Sequence, residues 1–173
     1  MKIIFYGGKQ AGMISLLTLK ALGHDISCVI AVDEIVKSTA EELGLNARTP
    51  EDINAEDFVD YLRGLGAGLF VCCHGRQILR QGILSCFRAI NIHPCLYKYK
   101  GANPIDKLLS AGETRASVGA HWMTEKVDSG EVIAENFYEI KSKTIDGVYN
   151  ELYVLYVLTL AQALVKIEKS HEQ

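Results

Sequence analysis

Lys2 to Val32, KIIFYGGKQAGMISLLTLKALGHDISCVIAV, is the stretch on which the fold turns. Lys2 to Tyr6 is short and mostly apolar, as a buried strand is. Gly7 and Gly8 permit a tight turn, and from Lys9 to Leu22 the residues Met13, Leu16, Leu17 and Lys20 recur at helical spacing. Gly23 punctuates that helix, and the β-branched run Ile26 to Val32 reads as a second strand. A strand, a helix and a second strand in this order form a βαβ unit, whose two strands run parallel.

The same rhythm continues outward. Glu34 to Leu43 reads as a helix closed by Gly44. Thr49-Pro50-Glu51-Asp52 supplies a capping residue, a proline at the first helical position and acids in the first turn, so a helix is expected to start there. Asn54, with Asp57 three residues on, offers a start that competes with it or extends it. Leu69 to Cys73 and Ala89 to Ile92 read as further strands. Ala116 to Met123 and Glu131 to Ile140, joined by the polar loop Thr124 to Gly130, break the rhythm and read as a hairpin. A long helix from about Ile145 to Glu168 follows. The fold class expected is α/β: a Rossmann-like three-layer α/β/α domain with a mainly parallel sheet, a C-terminal antiparallel hairpin and a long final helix. With no repeat, linker or low-complexity segment, one domain over residues 1–173 is expected.

Formal charge is −3, from 18 basic and 21 acidic residues without long runs of either sign. No linear basic patch suggests a nucleic-acid partner. Cys28, Cys72, Cys73, Cys86 and Cys95 make an odd, unpatterned set, which reads as reduced thiols in a cytoplasmic protein. Met1 to Tyr6 lacks the make-up of a signal peptide. The most apolar run, Leu152 to Val165, is interrupted by Thr159 and Gln162 and falls short of the roughly 20 residues of a membrane span. A soluble chain is expected, and the apolar final helix suggests deep burial or a homodimer interface.

Gly7, Gly8 and Gly12 have the wrong spacing for a dinucleotide fingerprint, although Asp33 ends the second strand as an NAD-binding acid would. The turn can be purely structural, or its helix N-terminus can meet an anionic substrate group. Asn91-Ile92-His93-Pro94 is more informative. Asn91 and His93, two apart at a strand end, project from one face, and Pro94 keeps His93 extended. An amide and an imidazole side by side suit acyl transfer, the first as an oxyanion donor and the second as an oxyanion or proton partner. They can equally serve the loop backbone. His121-Trp122-Met123 and, beyond Val127, Asp128-Ser129-Gly130 read on their own as hairpin chemistry.

Together, Asn91 to Pro104 and His121 to Gly130 resemble the formyltransferases that use 10-formyltetrahydrofolate, a family that includes methionyl-tRNA, glycinamide ribonucleotide and sugar-nucleotide formyltransferases. Leu69 to Leu84 (LFVCCHGRQILRQGIL) is similar to the strand and loop that accept the pterin ring there. The resemblance implies that Asn91 stabilises the oxyanion and His93 assists it or moves a proton. Asp128 would relay the amine proton and hold His93 or a water. It implies a folate site formed by His74, Gly75, Arg76, Gln77, Ile78, Leu79, Thr124, Glu125 and Val127, and no metal. Gly8, Lys9, Gln10, Tyr99 and Lys100 are assigned to the acceptor.

Cys95, Leu96, Tyr97, Lys98 and Tyr99 depart from the family's usual residues, in a loop one residue shorter, so the acceptor side is altered. Cys95 reads as a loop thiol rather than a nucleophile. Gly7 to Ala11 lacks the phosphate loop of the glycinamide ribonucleotide branch. The methionyl-tRNA branch carries a further C-terminal domain, which with the negative charge disfavours tRNA. The acceptor expected is a small amine, foremost a nucleotide-linked amino sugar. The alternatives are a methionyl-tRNA formyltransferase-like enzyme, a 10-formyltetrahydrofolate hydrolase with water as acceptor, and a non-catalytic folate-binding module.

Overall fold

The computed structural model describes residues 1–170. In chain order its elements are β1 (Lys2–Gly7), α1 (Lys9–Ala21), β2 (Asp25–Ala31), α2 (Glu34–Glu42), β3 (Ala47–Arg48), α3 (Glu56–Gly64), β4 (Leu69–Cys73), α4 (Gln81–Leu84), β5 (Arg88–Pro94), α5 (Pro104–Ser110), β6 (Arg115–Trp122), β7 (Val132–Glu139) and α6 (Ile145–Lys169). The strands form one sheet in the order β3-β2-β1-β4-β5-β6-β7. The first five run parallel to their neighbours, while β5–β6 and β6–β7 are antiparallel.

Period-2 alternation divides each central strand between two cores. Ile3 and Phe5 of β1, with Leu69 and Val71 of β4, enter the core shared with α1, α2, α5 and α6. Ile4, Tyr6, Phe70 and Cys72 enter the smaller core under α3 and α4. Strands covered on both faces read as unbroken apolar runs, which explains the legibility of Leu69 to Cys73.

The helix expected from Thr49 does not form there. Residues 49–55 are irregular and α3 begins at Glu56 behind Ala55. Asp52 accepts a hydrogen bond from Asn54 N at 2.9 Å, and the Asn54 side chain bonds to a distant loop. Asp and Asn compete for backbone partners in this way wherever a turn is available. Short α5 and the two-residue β3 escaped the pattern altogether.

The final helix forms where expected, over Ile145–Lys169. At 25 residues, α6 is long and apolar enough by length and composition to cross a membrane. Here Val148, Leu152, Tyr156, Leu160, Ala163 and Leu164 are packed into the larger core. Its outer side exposes Val154, Val157, Leu158 and Val165, so the helix is neither wholly buried nor polar-faced.

Candidate active site

The C-terminal ends of β1, β4 and β5 open onto a cavity of about 390 Å³, the edge where parallel sheets receive ligands. β5 carries Asn91 and His93 to it on one face. Antiparallel pairing places Asn91 opposite His121 and His93 opposite Gly119. The loop from β6 to β7 returns Asp128 to the same point, with its backbone in the left-handed region at φ 48°. Asp, like Asn, tolerates that conformation better than most residues, so Asp128 is both the turn residue and a site residue.

Asp128 is the hub. Its Oδ1 accepts from Asn91 Nδ2 at 3.2 Å, and its Oδ2 accepts from the Gly101 N–H at 2.8 Å. His93 Nε2 stands 3.1 Å from Oδ2, and His121 Nε2 stands 3.2 Å from Oδ1. Burial alone would raise the carboxyl pKa. The His121 contact, the His93 charge and the Gly101 N–H outweigh it and hold Asp128 well below the usual carboxylate range. Asp128 is therefore an anion at neutral pH, 8% exposed.

His93 is less free than its spacing implied. Its Nε2 lies 3.1 Å from the Gly101 carbonyl, which can only accept, so Nε2 carries hydrogen and Nδ1 is left buried without a partner among the described residues. Burial pushes this imidazole's pKa down, against the pull of Asp128 and the Gly101 carbonyl. Donation from Nδ1 would require the charged ring. Asn91 is the readier oxyanion donor, because its amide has a second hydrogen beyond the one given to Asp128.

His121 belongs to this cluster, although it was assigned no role from sequence. Its Nδ1 lies 2.8 Å from the Trp122 carbonyl, which fixes the hydrogen there and turns Nε2 toward Asp128 without an aligned hydrogen bond. The direct pairing of Asn91 with His121 across β5 and β6 is the signal that reveals it.

The cavity walls include His74, Gly75, Arg76, Gln77, Ile78 and Leu79 after β4, and Thr124 and Val127 before Asp128. Ile78 is 64% exposed and Val127 47%, apolar surface that a flat aromatic ring would cover. Met123, Asn103, Pro104 and Tyr149 also line it and were missed. The His74 ring is held by Tyr156 of α6, Nε2 to hydroxyl at 2.8 Å, and packs edge-on to Tyr149. Burial, then the charges of Lys9 and His93, lower its pKa to about 4.

Five assigned positions stand outside the cavity wall: Gly8, Gln10, Tyr99, Lys100 and Glu125. Tyr99 donates its hydroxyl to Glu113 at 2.9 Å. Only Lys9 of the first turn reaches the cavity, and its N–H is taken by the Asp33 carboxylate at 2.6 Å. The protein's own anion thus occupies part of the helix end that a substrate anion would use. Gly8 answers to packing, since a Cβ there would stand 2.8 Å from Val32 Cβ.

A sequence profile for the formyl transferase family matches residues 7–160. Methionyl-tRNA formyltransferase of Moorella thermoacetica is 30% identical over 162 residues, covering 85% of this chain and 52% of the relative. Bifunctional polymyxin resistance protein ArnA of Wigglesworthia glossinidia brevipalpis is 29% identical over 184 residues, 98% of this chain and 28% of the relative. The chain therefore spans about half of the first relative's length and less of the second's. Glycinamide ribonucleotide transformylase 1 from Symbiobacterium toebii shares the fold, with a TM-score of 0.84 at 20% identity over 94% of this chain and 85% of that one.

Proposed function

The chain belongs to the formyl transferase family, and from that premise we propose that it moves a formyl group from 10-formyltetrahydrofolate to the primary amine of a small acceptor. The observation that carries this reading is the convergence of Asn91, His93 and His121 on the Asp128 carboxylate at one end of the cavity. The exposed Ile78 and Val127 on the flanking loops suit the faces of a pterin.

The amine nitrogen attacks the formyl carbon. A C–N bond forms to the acceptor, the bond to the folate nitrogen breaks, and one proton passes from the amine to that leaving nitrogen. Asn91 donates its free N–H to the oxygen that gains charge. Asp128, anionic and fed by the Asn91 amide and the Gly101 N–H, takes the amine proton, with His121 Nε2 beside it as a second resting place. His93 is oriented by the Gly101 carbonyl, with its Nε2 3.1 Å from the Asp128 carboxylate.

A nucleotide-linked amino sugar is the acceptor we favour. The Asp33 carboxylate at the α1 turn disfavours an acceptor whose phosphate must bind there. A methionyl-tRNA acceptor and water as acceptor are the competing outcomes. The test is a panel of amines, methionyl-tRNA and water with 10-formyltetrahydrofolate, following tetrahydrofolate release. Turnover with an amino sugar nucleotide supports the reading. Release with water alone makes the chain a hydrolase, and no release with any acceptor refutes the enzyme.

The exposed apolar strip on α6 supports a homodimer as its cover, which sedimentation velocity would resolve.

A further inference from the structure

The segment that lines one wall of the cavity, residues 75–79, belongs to no regular element, yet it is held at both ends by side-chain amides. Asn54 Oδ1 accepts from Arg80 N at 2.8 Å, and Asn54 Nδ2 donates to the Ile78 carbonyl at 3.0 Å. Gln77 repeats the arrangement in the opposite direction. Its Oε1 accepts from Ile53 N at 3.1 Å, and its Nε2 donates to the Glu51 carbonyl at 2.9 Å.

Each carboxamide thus takes a carbonyl and the N–H two residues later, the pair of groups that a neighbouring strand would otherwise satisfy. Beneath them the Tyr6 hydroxyl accepts from the N–H groups of Arg76 and Gln77 at 2.9 and 2.7 Å. The register these bonds set has a direct consequence. Ile78 faces outward, 64% exposed at the cavity, while Leu79 is buried in the smaller core at 3%. A slip of one residue would exchange the two.

We propose that Asn54 and Gln77 form a reciprocal amide clamp that fixes the folate-facing segment before the donor binds, which makes Asn54 a positioning residue for 10-formyltetrahydrofolate. Asn54 does not line the cavity, so it acts on the ligand through Ile78 and Arg80. The inference rests on the proposed function for the identity of the ligand, and on geometry for the clamp itself. Holding the loop in its bound shape in advance removes an ordering cost from binding and leaves the chemical step untouched.

The test compares Asn54→Ala and Asn54→Asp with the wild-type chain, using tetrahydrofolate as the probe in calorimetric titration. Two backbone partners are released in Asn54→Ala, so affinity is expected to fall about tenfold or more and KM for the donor to rise in step, with kcat within about twofold. Asn54→Asp keeps the acceptor for Arg80 N and loses the donor to Ile78, so it falls between. Amide exchange in the free protein is expected to quicken within residues 75–80 and to stay unchanged in the other segments of the cavity wall.

Wild-type affinity and KM in Asn54→Ala overturn the clamp while leaving the proposed function standing. A fall in kcat at unchanged affinity overturns it as well. No binding of tetrahydrofolate by the wild-type chain overturns the function and the clamp together. Should Asn54→Ala fail to fold, Tyr6→Phe and Gln77→Ala release the same segment from its other supports, and unchanged affinity in both overturns the proposal.

Discussion

Replacing Asp128 with Asn tests the hub of the site with almost no change of shape. The carboxylate accepts from Asn91 Nδ2 on one oxygen and from the Gly101 N–H on the other, with His93 Nε2 3.1 Å from the Gly101 side. An amide has one oxygen, so its NH2 must face a donor whichever way it is turned. The better placement points the oxygen at the fixed Gly101 N–H and the NH2 at the bare Nε2 of His121, which leaves Asn91 Nδ2 without its acceptor. One charge-assisted hydrogen bond is lost and the negative charge with it, about 1.5–3 kcal/mol of folding stability. The pH dependence has a definite sign. Asp128 is more acidic in the fold than the unfolded value of ~3.9, so its contribution is present above that pH and fades as pH falls below it. Urea unfolding should therefore separate the two proteins fully near neutral pH and progressively less from about pH 4 downward. In the formyl-transfer assay, loss of the proton acceptor should lower kcat by about two orders of magnitude or more, with the donor KM within about threefold. A kcat within about threefold of wild type would show that Asp128 does not handle the amine proton.

Asn91→Ala should lower kcat by roughly 10²–10³, as loss of an oxyanion donor does, and near wild-type turnover would remove it from that role. His74, held at about 4 in the fold, binds fewer protons than the unfolded imidazole at ~6.5, so stability should be full above that value and decline as pH falls toward 4. His74→Asn, which suits the positive φ of that position, should flatten the decline, and a parallel pH profile would contradict the assignment. Gly119→Ala would set a Cβ 2.6 Å from Leu96 Cδ2 and 2.8 Å from Leu96 Cβ, and thermal unfolding should register a loss of about 1–3 kcal/mol. Leu152→Ala, at a fully buried position of α6, should cost about 2–5 kcal/mol in urea unfolding.

The sequence by itself determined the layers of this protein. Doubly buried strands are apolar throughout, amphipathic helices repeat every three or four residues, and these local periods survive without any knowledge of the partner surface. It also placed Asn91 and His93 on one face, because an extended backbone repeats every two residues whatever surrounds it. Tertiary structure decided the rest. His121 joined the site only through its register against Asn91, a relation across thirty residues of chain. Asp128, a plain turn residue by local chemistry, became the hub because its loop folds back on the Gly101 peptide. Asn54 promised a helix start and instead became the brace of a loop 24 residues away, since a side-chain amide bonds whichever backbone the fold brings to it. In the first turn Lys9 gives its N–H to the strand-end carboxylate of Asp33, while Gly8 and Gln10 stand outside the cavity wall. Local patterns fix which elements form, whereas hydrogen-bond partners and charge neighbours depend on which segments meet, and only the assembled sheet settles that.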